Sequence, residues 1–240
     1  MANALSIRIK FSIMAASIKE LTLYSYFQSS ASWRVRAVLA IKNIPYVYEP
    51  VHLLNAKQRS EEYKQINPMQ QVPAMKIVTQ EGKVDCITQS LAIIQFLEEN
   101  YPNNPVLPQD PILRAKSRAI ADSIASGIQP LQNLETLVDY TQPLGQPPLG
   151  VDERKKVARY WIDKKMQDLE RLVKPVAGKY CVGDNVTIAD VCLVPQMANA
   201  RRFELDTSKY PTLKSIDDRL QELKEFKDSH PLACPDAPKK

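Results

Sequence analysis

The strongest constraint on the fold is a change of pattern partway along the chain. Up to about residue 101, short apolar stretches alternate with amphipathic ones, which is typical of strands and helices that share one domain. Beyond the proline-rich segment Pro102–Asp110 the strand patterns stop, and long amphipathic stretches take over. The sequence therefore predicts a mixed α/β domain followed by an all-helical domain.

The predicted elements of the first domain follow the order βαβ, helix, ββ, helix. Strands are predicted at Leu21–Phe27, Pro45–Leu54, Ala74–Val78 and Val84–Thr88, and helices at Ser32–Lys42, Lys57–Ile66 and Ser90–Asn100. The turn Gln80–Gly82 between the last two strands is typical of a β-hairpin. We expect residues 1–20 to be an extension, residues 21–101 the first domain, residues 102–110 a linker and residues 111–240 the second domain.

The second domain is predicted to contain four helices. The pattern favours one long helix over Pro111–Val138, kinked at Pro130, and a loop over Tyr140–Gly150. Further helices are predicted at Asp152–Val173, from Thr187 to Ala198 and at Pro211–Phe226. In the third of the four, Thr187 and Asp190 have the spacing of a capping box with Asp in place of Glu or Gln.

Composition excludes several function classes. No apolar run approaches the roughly 20 residues that cross a bilayer, so an integral membrane protein is not expected. The net charge of +5 is interspersed with acidic residues, which disfavours nucleic-acid binding and is compatible with small anionic substrates. The four cysteines are far apart and form no CxxC pair, so we expect no metal site and a reducing compartment. Neither His52 nor His230 is a promising catalytic candidate.

The first residues allow two interpretations. Arg8, Lys10 and several serines precede the first acidic residue, Glu20, as in a transit peptide. The alternative is a disordered extension ahead of the fold. We predict a cytoplasmic location, with the mitochondrion as the alternative that this segment leaves open.

One candidate site lies where the first predicted strand meets the first helix. Ser29 and Ser30 stand in this turn, where free N–H groups and the positive end of a helix dipole favour a thiolate over a thiol. Either hydroxyl can donate a hydrogen bond to such a sulfur. Alternatively, the two serines serve only as helix caps.

Two further candidate sites flank the predicted hairpin. The step from Val72 to Pro73 is a place for a cis bond, which would expose the Val72 backbone for pairing with a peptide ligand. Gln89 and Ser90 open the last helix of the domain, where Ser90 can hold a carboxylate at the positive helix end. Taken singly, the first is also explained as a turn and the second as a helix cap.

Together these motifs resemble the glutathione transferases, and the zeta class in particular, from Leu21 to Pro238. The motifs are YSYFQSSASWRVR at Tyr24–Arg36, INPMQQVPAM at Ile66–Met75, QSLAIIQFLEE at Gln89–Glu99, VLPQDP at Val106–Pro111, SGIQPLQNL at Ser126–Leu134, YCVGDNVTIADVCLVPQMANA at Tyr180–Ala200 and YPTL at Tyr210–Leu213. The resemblance implies an N-terminal thioredoxin-like domain, a C-terminal helical bundle and a homodimer. It also implies glutathione as cofactor in the cis–trans isomerisation of maleylacetoacetate, with a side activity on small α-haloacids.

The resemblance also implies roles for single residues. Ser29, with Ser30 beside it, matches the serine that stabilises the glutathione thiolate. Val72 matches the backbone partner of the cysteinyl part, and Gln89 and Ser90 match the contacts of the γ-glutamyl end. The remaining matches are Gln58 for the glycyl end, Gln129 and Asn133 near bound glutathione from the helical domain, and Arg34 and Arg202 for the carboxylates of the second substrate. Arg36, one turn beyond, is expected to face solvent.

Three departures from the class leave the substrate open. Ala31 stands where the class usually has cysteine, and Gln28 where many relatives have arginine. The loop Asp139–Val151 is longer than in familiar relatives. A general glutathione transferase that conjugates electrophiles, and a non-catalytic module of the same fold used for protein association, therefore remain alternatives.

Overall fold

The computed structural model describes residues 18–139, 141, 143 and 145–239. The targeting interpretation of the N-terminal extension falls on residues that are mostly outside this part. The chain divides into two compact units: residues up to Pro105 together with Lys224–Lys240, and Val106–Leu223. Among the described residues, no helix has the length and apolar character needed to cross a membrane.

In its described residues, the first unit has a four-stranded sheet and four helices. The strands are β1 (Ile18–Ser25), β2 (Val47–Pro50), β3 (Ala74–Thr79) and β4 (Val84–Thr88), and the helices are α1 (Ser30–Ile41), α2 (Glu61–Ile66), α3 (Ser90–Asn100) and, from the C-terminal segment, α9 (Lys224–Asp228). Short 3-10 turns at Leu53–Asn55 and Lys57–Arg59 occupy the stretch where a longer strand and helix were predicted.

The strand order is β2-β1-β3-β4, with β1 and β2 parallel and the other pairs antiparallel. This mixed sheet is the predicted thioredoxin-like arrangement. Its β1 begins at Ile18, three residues before the predicted start, because Ile18 pairs with Thr79 at the far end of β3. The core lies between this sheet and the helices α1 and α3, whose apolar faces include the fully buried Val35 and Leu97.

The second unit is helical, as predicted. Its helices are α4 (Pro111–Gly127), α5 (Leu134–Val138), α6 (Val151–Val173), α7 (Ile188–Arg202) and α8 (Pro211–Gln221). The single long helix predicted over Pro111–Val138 is wrong. The observed helix α4 ends at Gly127 and is followed by a 3-10 turn at Gln129–Gln132. The cause is Pro130, which has no N–H to continue an α-helix and disfavours the α conformation of the residue before it.

The C-terminal segment also differs from the expected domain boundary. Residues 224–240 group with the first unit, whereas the sequence placed them in the second domain. The predicted helix over Pro211–Phe226 is divided accordingly into α8 and α9. The segment is held by the buried Phe226 and by a hydrogen bond of 3.1 Å from Trp33 Nε1 to Ser229 Oγ. Such contacts join residues far apart in sequence, which local patterns do not reveal.

The capping box predicted at the start of α7 is present. The Asp190 carboxylate is fully buried and accepts hydrogen bonds from the backbone N–H of Thr187 (2.7 Å), from the Thr187 hydroxyl (2.9 Å) and from the N–H of Cys181 (2.8 Å). Burial raises the pKa of Asp190, while the hydrogen bonds from Cys181 and Thr187 act in the opposite direction. The carboxylate thus joins the helix to the segment that precedes it.

We predict that Asp190→Ala lowers the free energy of unfolding by about 3 kcal/mol, because it leaves two buried N–H groups without an acceptor. Urea denaturation measures this loss. Asp206→Ala is the matched control, since Asp206 caps the exposed 3-10 turn Thr207–Lys209 and its loss should barely change stability. Equal effects of the two substitutions would contradict the prediction.

Candidate active site

Strand register brings three of the candidate motifs to one edge of the sheet. Ala74 at the start of β3 pairs with Tyr24 of β1 on one side and with Thr88 of β4 on the other. The turn that carries Ser29, the Val72–Pro73 step and the Gln89–Ser90 pair all lie just beyond these three residues. The motifs that the sequence scatters over some sixty residues are therefore neighbours.

Ser29 is the N-cap of α1. Its half-buried side chain accepts a hydrogen bond of 3.1 Å from the N–H of Ser32, and its own N–H donates to the carbonyl of Tyr26 at 2.9 Å. Because Oγ acts as the acceptor in the cap, the hydroxyl hydrogen is left to donate elsewhere. Ser30 is the first residue of the helix and is only 9% exposed. The cap interpretation is therefore correct for Ser29 and is compatible with a role as donor to a sulfur.

Arg36 holds the turn before Ser29, and the prediction that Arg36 faces solvent is wrong. Arg36 is 2% exposed and donates to four acceptors. Its guanidinium bonds Ser25 Oγ (3.0 Å) and the carbonyls of Tyr26 (3.4 Å), Phe27 (3.1 Å) and Ser229 (3.1 Å). The expectation failed because the C-terminal segment, assigned from the sequence to the other domain, covers this face of α1.

The segment that leads to Val72 is held in place by two buried side chains. The Tyr63 hydroxyl and the Asn67 amide both donate to the carbonyl of Gln71, at 2.8 Å and 2.7 Å. Burial raises the pKa of Tyr63, so its hydroxyl keeps the proton that it donates. The Val72–Pro73 bond is cis, as predicted. In the part of the chain that the structure describes, no backbone hydrogen bond uses the N–H or the C=O of Val72.

Gln89 and Ser90 form an uncapped helix start. Gln89 has φ +71°, an uncommon backbone conformation for a residue with a side chain, and makes no side-chain cap of α3. The first N–H groups of this 11-residue helix are therefore available to an anion. The guanidinium of Arg34 donates a hydrogen bond of 3.2 Å to Ser90 Oγ. Arg34 is 2% exposed, which favours a role through Ser90. Its contact with a second substrate remains a prediction.

Gln58 lies in the 3-10 turn Lys57–Arg59, which follows β2. Its side-chain oxygen is buried and has no hydrogen-bond partner among the described residues. A carboxamide carries two donors and an acceptor, so this end of Gln58 can serve a polar ligand. Its predicted contact with the glycyl end of glutathione is chemically reasonable and stays a prediction.

The remaining candidates belong to the second unit. Gln129 and Asn133 are half-buried at the two ends of the 3-10 turn after α4, and Arg202 is the exposed last residue of α7. Their contacts with glutathione or substrate remain predictions. The loop Asp139–Val151 lies partly outside the described residues, and in its described part the Thr141 hydroxyl donates to the carbonyl of Pro147 at 2.7 Å.

Sequence reasoning missed the residues that position this site. Arg36, Tyr63 and Asn67 fix the backbone next to Ser29 and Val72, and no local pattern distinguishes them from solvent-facing residues.

The arrangement fits glutathione. The backbone N–H and C=O of Val72 can pair with a peptide. The N-terminus of α3, with Ser90, can bind a carboxylate. The Ser29 hydroxyl lies at the start of the neighbouring helix, where negative charge on sulfur is favoured. The three subsites match a tripeptide with a carboxylate, a central peptide unit and a thiol.

Comparison with known proteins agrees with this geometry. Residues 19–99 match the glutathione S-transferase N-terminal domain, and residues 144–228 match the C-terminal domain. Maleylacetoacetate isomerase of Mus musculus is 49% identical over 218 residues, which are 90% of this chain and 94% of the mouse protein.

Solved structures show the same fold. Maleylacetoacetate isomerase from Anaeromyxobacter dehalogenans 2CP-1, with glutathione bound in its active site, has a TM-score of 0.82 and 40% identity, over 92% of this chain and 99% of that one. A second structure of that enzyme, with bound dicarboxyethyl glutathione and citrate, has a TM-score of 0.82 and 38% identity, over 93% and 99% of the two chains. The chain therefore belongs to the zeta class of the glutathione transferases, a family of glutathione-dependent enzymes that includes the maleylacetoacetate isomerases.

Proposed function

We propose that this protein isomerises maleylacetoacetate to fumarylacetoacetate with glutathione as cofactor, a step in the breakdown of tyrosine and phenylalanine. The observation that carries the proposal is that the Ser29 turn, the Val72 backbone and the start of α3 lie at one edge of the sheet. Among the described residues, no backbone hydrogen bond uses Val72, and Gln89 does not cap α3 with its side chain. These three elements hold and activate a tripeptide thiol.

Each of these residues has a distinct task. When bound, glutathione supplies a thiolate that adds to the conjugated double bond, so that the bond can rotate before the thiolate leaves again. Val72 aligns the peptide through its backbone. Ser90, whose Oγ accepts a hydrogen bond from Arg34, holds the γ-glutamyl carboxylate. Ser29 donates its hydrogen to the sulfur and thereby favours the ionised form over the thiol. Gln89 and Gln58 bind the two ends of the peptide.

The substrate class follows from the ligands of the related structures and from the charge of this chain. The Anaeromyxobacter enzyme binds dicarboxyethyl glutathione and citrate, which are anions. In this chain the exposed Arg202 is suited to a carboxylate of the second substrate. The proposal extends to a homodimer, a cytoplasmic location and a side activity on small α-haloacids.

The assay that tests the proposal gives the purified protein glutathione and either maleylacetone or a chloronitrobenzene. We expect isomerisation of maleylacetone with no net consumption of glutathione, because the thiolate is expelled in each cycle. Activity on the chloronitrobenzene alone would mean a general transferase. Activity on neither, with no retention on immobilised glutathione, would mean a non-catalytic module.

We predict that Ser29→Ala lowers kcat for isomerisation roughly a hundredfold, the usual effect of removing one donor to a developing negative charge. The substitution also removes the cap of α1, at a cost of about 1 kcal/mol in stability. Asp110→Ala is the control, because Asp110 caps α4 through the same type of bond, to the N–H groups of Ile112 and Leu113. This control should lose similar stability and keep its kcat.

An unchanged kcat in Ser29→Ala would transfer the role of donor to Ser30. The variant Ser30→Ala, measured in the same assay, then identifies which hydroxyl acts. We expect the larger loss in Ser29→Ala, because Ser30 is nearly buried.

We predict that Ala31→Cys changes the KM for glutathione severalfold and kcat by less than about twofold. A thiol in the first turn of α1 tends to ionise and adds charge near the glutathione sulfur, but the sulfur that reacts is that of glutathione. Ala31→Ser is the control with a similar shape and no thiol. A kcat that rises in step with cysteine ionisation would contradict the prediction and give the protein its own reactive thiolate.

A further inference from the structure

The C-terminal segment reaches the turn that carries Ser29. Asp236 is half-buried, and its carboxylate accepts a hydrogen bond of 3.1 Å from the backbone N–H of Phe27. Its other oxygen accepts one of 2.7 Å from the hydroxyl of Tyr48 in β2. Burial raises the pKa of Tyr48, so its hydroxyl retains the proton that it donates. One carboxylate thus links the last residues of the chain to the turn and to an edge strand.

The same turn is also held from the side of α1. Arg36 donates to the carbonyls of Tyr26 and Phe27, and it donates to the carbonyl of Ser229 in the C-terminal segment as well. The backbone of Phe27 therefore has its N–H bound by Asp236 and its C=O bound by Arg36. Two residues later comes Ser29, whose N–H is bonded to Tyr26 within the same turn.

The apolar contacts of the turn also involve the C-terminal segment. Tyr26 and Phe27 belong to a buried cluster with Val51, Tyr63 and Val72. Cys234 and Ala237, which flank Asp236 in the C-terminal segment, pack against this cluster. The segment therefore packs on a cluster that includes both the turn residues before Ser29 and Val72.

We propose that Asp236 is a positioning residue for the reaction, because it fixes the Phe27 backbone so that the Ser29 hydroxyl meets the sulfur of bound glutathione. This inference rests on the proposed function. Hydrogen bonds to an ionised group are stronger than neutral ones, so the bond from Phe27 is a firm constraint on the turn. A displacement of about 1 Å is enough to weaken a catalytic hydrogen bond severely.

The test is Asp236→Ala in the whole chain, because Ala leaves the Phe27 N–H without this acceptor. Asp228→Ala is the matched control. Asp228 lies in the same C-terminal segment but pairs with Lys224 at the surface, away from the turn. The pKa of the bound glutathione thiol is read from the ultraviolet absorbance of the thiolate, with glutathione alone. We expect a rise of about one unit in Asp236→Ala, equivalent to roughly a tenfold loss of thiolate, and no change in Asp228→Ala. The kcat at neutral pH should fall by a similar factor and recover at alkaline pH.

The sign of the change separates positioning from simple electrostatics. Loss of a negative charge would by itself lower the pKa of a nearby thiol, whereas loss of the Ser29 hydrogen bond raises it. A lowered or unchanged pKa in Asp236→Ala overturns the proposal, including when the variant is merely less stable. Should Asp236→Ala fail to fold, Tyr48→Phe loosens the same carboxylate and should raise the thiol pKa by a smaller amount. No rise there also overturns the proposal.

The absorbance measurement keeps this inference separate from the proposed function. It requires only glutathione, so a protein that binds and ionises glutathione but does not isomerise maleylacetone would refute the proposed substrate and leave the role of Asp236 to be judged on its own. A wild-type protein that does not ionise glutathione refutes both.

Discussion

The site depends on one constraint, the register in which Ala74 lies between Tyr24 and Thr88. A shift of one residue would turn each side chain of β3 to the opposite face and separate the three turns at the sheet edge. The buried faces of β1 and β3 specify the register, since Leu23 and Met75 are fully buried and pair directly. The packing of the core therefore also determines where the residues of the site lie.

Most of the fold could be predicted because its signals are local. The hairpin strand β4 and the helix α3 match the predicted bounds, and the capping box at Thr187 and Asp190 is present. The errors occur where a contact spans a long stretch of chain. Arg36 looks like a solvent-facing arginine until the C-terminal segment covers it, some 193 positions later. Residue patterns within a window of a few turns contain no information about such a partner.

The candidate site shows the same division. The residues that would touch glutathione stand in short motifs, and the resemblance to a family gave each of them a role. Taken alone, each motif also described a cap or a turn, and Ser29 is in fact a cap. The supporting residues are different, because Asn67, Tyr63 and Asp236 act on backbone atoms of neighbours whose identity does not matter. Only the folded geometry reveals them.

The return of residues 224–240 to the first unit has a consequence for biosynthesis. A ribosome releases the sheet and its three N-terminal helices early, but Asp236 leaves it only after the whole helical unit has been made. The thioredoxin-like unit is therefore assembled in two steps, and its glutathione site is completed only after the helical unit has been synthesised. A nascent chain stalled before this point would present a folded sheet in which the turn that carries Ser29 still lacks the hydrogen bond to Asp236.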